Sequence, residues 1–530
     1  MAQQYRFPTS EPVDVVVIGT GAGGGNVIRE LCLNGVRVVA LEAGPHLDPE
    51  KDFEPDEWVM FRKMAWLDPV EVQGRDVTGL PFWLCKAVGG TTCHWAGASL
   101  RFQPHEWKAR TTYGEIPGAN LADWPIDADE MRPYYEKAER YMGVTGRVQP
   151  LPPPNTNYLV MKKGADKLGL HLRPGHMAIN ATQPYDGRPM CEQRGHCFQG
   201  CNKKAMWSTL NEAIPKALAT GYLDLRPNCQ AVYISTNDAG LVTGVVYARP
   251  DGVLEEQKAR VVVVAGNSIQ TPRLLLHSTS NRHPNGLANS SGQVGKNYMR
   301  HLTASCYALF EKPVHAYKGI TMMGIIDDFA ENRPERGFVG GFLIETIMLG
   351  PAFASVFIQP GPFTSTADRK ALWGEALVEL MDNYTHLAGN WIVGEDMPQE
   401  GNSITLHPIK KDRFGVPIPV VTFNDHPNDK AMREFAWKRC QELWEAAGAW
   451  KVYLTPPYPA THNLGTCRMG DNPSTSVVNR WCQAHDVKNL FITDGSVFTT
   501  GAAENPTLTI SALAIRTAEY IMDQMAKGEL

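Results

Sequence analysis

The chain has 530 residues, 43% hydrophobic and 20% charged, with 51 Lys and Arg against 56 Asp and Glu for a net charge of −5. That length suits two large lobes or three units of ordinary domain size, and the near balance of charge gives nucleic acid or an anionic membrane no basic face to bind. The 48 glycines and 38 prolines argue against a helical bundle, and no apolar run is long enough to cross a bilayer.

The opening MAQQYRFPTSEPVDVVV has no basic patch followed by an apolar stretch and no twin-arginine pair, so no export signal is expected in it. Val13–Gly19 reads as a short apolar strand. GTGAGG follows, placing Gly19, Gly21 and Gly24 in a G-x-G-x-x-G pattern. Helical spacing runs over Asn26–Asn34, with Gly35 as C-cap, and Val36–Gly44 is a second strand carrying Glu42. Glycines between a strand and a helix let the backbone approach a pyrophosphate at the helix N-terminus. An acid ending the next strand can accept from ribose hydroxyls. The alternative is a tight turn without a ligand.

Gln149–Asn157 is Pro-rich and reads as a linker or surface crossing. Beyond it, RPMCEQRGHCFQGCNKKA gathers Cys191, Cys197 and Cys201 in one polar loop. The other cysteines are scattered in mixed or apolar contexts and read as core thiols, not a disulfide scaffold. Arg260–Ser278 reads as a buried strand, a glycine turn and a helix with Pro272 near its first turn. Residues 300–455 mix strand-like and loop segments rich in aromatics, most of them expected in the core. Asn489–Phe498 is a strand ending in Asp494–Gly495, and Glu504–Met525 is a long helix following Asn505–Pro506.

Four blocks, DVVVIGTGAGGGNV, AVGGTTCHWAGASLRF, VVVVAGNSIQTPRLLLHS and NLFITDGSVFTTGAAENPTLTISALA, resemble the glucose–methanol–choline flavoenzyme family in order and across nearly the whole chain. Within it, QPYDGRPMCEQRGHCFQGC and VGGTTCHWA look most like the catalytic subunits of bacterial FAD-dependent glucose, gluconate, fructose and sorbitol dehydrogenases. The resemblance implies FAD and an α/β, two-lobed fold: a Rossmann-like FAD-binding domain beside a substrate domain on an antiparallel sheet. The expected division is FAD-binding domain at 1–150, 220–300 and 461–530, a cysteine-bearing segment at 151–219 and a substrate domain at 301–460. Three departures stand out: Cys93 where those relatives usually have Trp, Met190 in place of a further Cys, and Arg300 before His301 where Asp is usual.

The resemblance also implies roles. Hydride transfer from an alcohol needs a base and a hydrogen-bonding partner over the flavin. His462, in the Pro459–Gly470 loop, is the expected base, and Asn505 the partner, with Asn463 as competitor; Asn505 also reads as the N-cap of the last helix with Pro506 at N1. Gly89, Gly90 and Thr92 are expected beside the isoalloxazine. His94 either bonds covalently to the flavin or packs beside it. Asp494 and Gly495 are expected at the ribityl chain and pyrophosphate, and Pro506 and Thr507 near the pyrimidine edge. The C-x5-C-x3-C spacing of Cys191, Cys197 and Cys201 matches one that holds a three-iron, four-sulfide (3Fe-4S) cluster in those relatives. Thiolates also suit zinc, with His196 as fourth ligand, although His196 abuts Cys197. Lys203 and Lys204 read either as a solvated basic pair or as a guide for an acidic acceptor.

The expected activity is therefore oxidation of a hydroxyl on a sugar, sugar acid, polyol or glycoside, with electrons leaving through the iron–sulfur cluster to a cytochrome c. A small subunit bearing a twin-arginine signal would carry the chain folded to the periplasm; the lack of its own signal equally fits the cytoplasm. The alternatives are a sugar oxidase making peroxide and a lyase with a redox-idle flavin.

Overall fold

The computed structural model describes residues 6–76, 84–357, 372–455 and 461–530. The first two residues of the Pro459–Gly470 loop and the first five of the chain lie outside them. Two sheets organise the molecule. In the first, Val13–Ile18 lies parallel between Val38–Leu41 and the second half of Leu254–Val264; Leu223–Arg226 and Leu490–Ile492 extend the parallel part. The first half of Leu254–Val264 pairs antiparallel with Val242–Ala248, which pairs in turn with Gln230–Thr236. One long strand thus joins a parallel core to an antiparallel extension.

VDVVVI and RVVVV are almost continuous Val because both faces of these strands are covered. Val15 and Val17 pack with Val27, Ile28 and Leu31 of the helix Ala22–Leu33 and with Ala514, Ala518 and Ile521 of the helix Thr507–Ala526. Val13, Val16 and Ile18 face a second cluster around Trp107, Trp124 and Leu508. Complete burial of each such side chain contributes about 1.5–3 kcal/mol.

The second sheet is wholly antiparallel, in the spatial order Lys451–Leu454, Leu302–Leu309, Leu387–Gly394, Phe342–Thr346, Gly324–Ile326, Leu172–Pro174. The helices Thr156–Leu168 and Pro427–Ala447 cover it through Met161, Ala165, Cys440 and Trp444. A smaller sheet pairs Ser403–Lys411 with Pro417–Thr422 and the latter with Glu71–Gln73. This is the two-lobed arrangement expected: a dinucleotide-type sheet beside an antiparallel one.

Local readings need three corrections. The first helix ends at Leu33 and Asn34 is its C-cap, with Gly35 one residue beyond at φ +79°. Pro272 is the sixth residue of the helix Asn267–His277, inside it rather than at its start. Pro506, not Asn505, occupies the cap of the last helix, and no side chain caps it. Asn505 is therefore left available for another role. No helix among the described residues is long and apolar enough to cross a membrane.

Candidate active site

Two adjoining cavities lie where the lobes meet. The first is lined by Gly19, Gly21, Glu42, Gly90, Thr92, Asp494, Gly495, Pro506 and Thr507, which are expected cofactor residues, and by His462. Its walls come from chain segments hundreds of residues apart. The second holds His94, His462 and Asn505 and reaches into the antiparallel lobe.

The glycines of the first turn do different work. Gly19 has φ +92°, and a Cβ there would lie 2.4 Å from Ala265 O on the neighbouring strand. A Cβ on Gly24 would fall 2.0 Å from Gly19 O, so Gly24 lets helix and strand close; it does not line the cavity. Gly23, which the motif leaves as a spacer, would place a Cβ 1.7 Å from Thr493 O, beside the C-terminal strand. Gly21 has extended backbone, and its Cβ would meet only Gly90 Cα at 3.8 Å. The space beside Gly21 belongs to the cavity. A glycine that no protein atom requires is the mark of a ligand passing close to the backbone, and this arrangement fits the pyrophosphate of FAD.

Glu42 faces the cavity, yet its carboxylate already accepts from Thr20 N (3.1 Å), Thr20 Oγ1 (2.7 Å) and Gly44 N (3.0 Å). Burial raises its pKa against those bonds; lone pairs remain for a ribose hydroxyl. Asp494 is likewise committed to the protein. It accepts from Asn267 N (2.8 Å), Thr271 Oγ1 (2.5 Å) and Ser496 N (2.8 Å), tying the start of one helix to a C-terminal turn. Gly89 lies behind the lining, its N–H donating to Thr20 Oγ1 at 3.0 Å, and Thr92 Oγ1 donates to Gly89 O. Thr209, not anticipated from the sequence, locks this turn by donating to Thr20 O at 2.7 Å.

At the junction of the cavities His462 Nδ1 lies 3.0 Å from His301 Nδ1, and His301 Nε2 lies 2.8 Å from Gly501 O. A carbonyl only accepts, so His301 carries its proton on Nε2. Burial brings the His301 pKa down to about 4, so its ring is neutral and Nδ1 is an acceptor. His462 must then donate from Nδ1, which leaves its Nε2 as a lone pair. Burial, then the neighbouring His301, holds the His462 pKa well below the ordinary value. The pair is neutral, with one basic nitrogen.

His301 is held in the left-handed region, φ +57°, an uncommon setting for a residue with a side chain. The N–H groups of Arg300 and His301 both donate to Asp396, at 2.7 and 3.2 Å. Arg300 itself points elsewhere, to Asp425 (3.3 Å) and over the Phe423 ring. The Trp391 ring stacks on His462 at 6.0 Å between centroids.

Asn505 Nδ2 donates to Glu345 Oε2 at 3.4 Å, and its Oδ1 has no partner among the described residues. The free end of this amide is thus the oxygen, whereas a donor was expected. Glu345 sits in the fully buried strand Phe342–Thr346, and burial lifts its pKa to about 8. Asn463, the competitor, lines the first cavity, but its Oδ1 accepts from Tyr298 Oη at 2.5 Å. His94 opens onto the second cavity, and burial lowers its pKa to about 4, so it too is neutral.

Cys191, Cys197 and Cys201 are free thiols, half-buried against the antiparallel lobe. Burial, then the neighbouring Cys197, pushes the Cys191 pKa up to about 12. Among the described residues, however, no three His, Cys, Asp or Glu side chains are gathered tightly enough to hold a metal ion. The zinc arrangement with His196 is not formed. Phe198, between two of the cysteines, lines the second cavity. Lys203 pairs with Glu192 (3.2 Å) and Lys204 with Glu50 (2.8 Å), so neither is an unpaired guide charge.

Family models described as GMC oxidoreductase match residues 76–303 and 398–514. The chain is 35% identical to 2-methyl-1,2-propanediol dehydrogenase of Mycolicibacterium austroafricanum, covering 97% of this chain and 96% of that protein. It is 30% identical to the fructose dehydrogenase large subunit of Gluconobacter japonicus, covering 97% and 98%. Among solved structures, pyridoxine 4-oxidase from Mesorbium loti superposes with a TM-score of 0.65 at 16% identity, covering 96% of this chain and 99% of that one, a likeness of fold.

Proposed function

The chain belongs to the GMC oxidoreductase family, and from that premise we propose that it is an FAD-dependent dehydrogenase of a sugar-, polyol- or diol-type alcohol. When bound, FAD supplies the acceptor for the hydride of the carbinol carbon. The single observation that carries the reading is the His462–His301–Gly501 chain, which leaves one basic nitrogen where the two cavities meet.

His462 Nε2 takes the hydroxyl proton. His301 holds the imidazole in the tautomer that can do so, and Asp396 fixes the backbone of His301. The Asn505 amide, fixed by Glu345, presents a polar atom to the same hydroxyl-bearing carbon. The apolar walls exclude water, which strengthens each of these interactions. His94 packs at the border of the cavities as a neutral ring, without a covalent bond.

For electron exit we propose a three-iron cluster on Cys191, Cys197 and Cys201. A single ion needs sulfurs about 4 Å apart, whereas a cluster spans a wider triangle. The support is the place of the three cysteines in one loop against the antiparallel lobe and of Phe198, between two of them, on the substrate cavity wall. The name of one relative as a large subunit supports a partner subunit here; export to the periplasm and a cytochrome acceptor are proposed together with it.

The test is anaerobic addition of alcohols to purified protein while flavin absorbance and iron and sulfide content are read. Bleaching by an alcohol is expected. A flavin that no alcohol bleaches would point to the redox-idle lyase, and bleaching without iron, with peroxide formed in air, to the oxidase.

A further inference from the structure

We infer that the substrate is a compact alcohol with a branched-alkyl or aryl body, whose polar groups are confined to the reacting carbon and the one beside it, and that sugars are poor substrates. This rests on the dehydrogenase reading and narrows it. Away from His462 the second cavity is walled by Phe198, Met322, Ile347, Leu349 and Phe353. These side chains come from the cysteine segment, the antiparallel lobe and the helix Pro351–Phe357, and Met322, Ile347, Leu349 and Phe353 are each at most 8% exposed. None offers a strong donor or acceptor.

The unpaired polar atoms belong to lining residues on the His462 side, Thr461 being its neighbour in the chain and Trp391 stacking on its ring. Besides His462 they are Asn505 Oδ1, Thr461 Oγ1 and Trp391 Nε1, and these three have no partner among the described residues. Trp391 is 4% exposed and stacks on His462. Among the described residues the remaining polar liners are Thr91, His94, Thr507 and Trp95, whose indole N–H already donates to Trp207 O at 2.9 Å; Thr91, Trp95 and Thr507 also line the first cavity, so they lie on the shared side.

The indole N–H of Trp391 is unpartnered and can only donate, and a second oxygen on the carbon beside the reacting one would supply the missing acceptor. A vicinal diol supplies both, and its body then covers the apolar wall. A hexose carries hydroxyls around its ring. Those facing Phe198, Ile347 and Leu349 would lose water and gain nothing in return.

The experiment compares kcat/KM of the holoenzyme, with a one-electron dye as acceptor, for branched-alkyl and aryl 1,2-diols, hexoses and open-chain polyols. An apolar pocket rejects an added hydroxyl by about 100-fold, so the diols should exceed the hexoses by about that factor or more. Independently of turnover, a diol with two tertiary hydroxyls has no carbinol hydrogen to give; it should compete with substrate and raise the Tm of the holoenzyme, where glucitol does neither. Trp391→Phe should cost the diol about 10-fold more in kcat/KM than it costs the matching mono-alcohol. Hexose turnover equal to that of the diols would overturn the inference and leave the dehydrogenase reading standing. A flavin inert to every alcohol would overturn the reading itself.

Discussion

The His301–His462 contact decides which nitrogen of His462 is basic, and the consequences can be measured residue by residue. His462→Ala should lower kcat by about 10²–10⁴-fold with the flavin spectrum of the purified protein intact. His301→Phe leaves the Nδ1 proton of His462 without an acceptor, a cost of about 1–3 kcal/mol; kcat should fall about 10–100-fold with little change in KM. Because the His462 pKa is held below the ordinary value, the acid limb of kcat/KM should lie below pH 6.5. Glu345, with a pKa near about 8 against Asn505, should add an alkaline inflection there, and Glu345→Gln should remove it while leaving the acid limb in place.

At the scale of elements, the glycine turn separates folding from binding. Gly21→Ala adds a methyl that no protein atom opposes but that enters the first cavity. The variant should fold with an unchanged circular dichroism spectrum and retain far less FAD, read as flavin per chain. Gly23→Ala drives a methyl onto the Thr493 carbonyl and should prevent soluble folding altogether. The G-x-G-x-x-G spacing, the flanking strands and the final helix were legible because each is written in a few consecutive residues. His301, Glu345 and Asp396 were not, because each acts on a residue 95 to 161 positions away and no local pattern marks it. A signal for two of them was present all the same. FLIET and GED place acids inside or at the end of otherwise apolar strands, where an unpaired carboxylate is rarely tolerated. Trp391 reaches the site only because the antiparallel sheet abuts the loop bearing His462, which composition does not reveal.

Across the whole molecule the buried acids and imidazoles pull stability in opposite directions. Glu345 and Glu395 are lifted to about 8 and Asp396 to about 7 by burial. The folded chain therefore binds more protons than the unfolded one between the ordinary carboxyl range and pH 8, and stability falls as pH rises through that window. His94 and His301 are lowered to about 4. Between pH 6.5 and 4 the unfolded chain binds the extra protons, and stability falls as pH drops. Thermal unfolding followed across pH 4 to 9 should give a Tm maximum on the acid side of neutrality, and Glu395→Gln should flatten the alkaline slope.

The first cavity draws its walls from Gly19 near one end of the chain and from Thr507 near the other, with Leu490–Ile492 completing the sheet between. Until the ribosome has released that last stretch, a nascent chain has only part of the cradle. Cofactor loading accordingly waits on synthesis of that stretch, and cells starved of riboflavin would accumulate chains with the whole cradle formed and no prosthetic group in it.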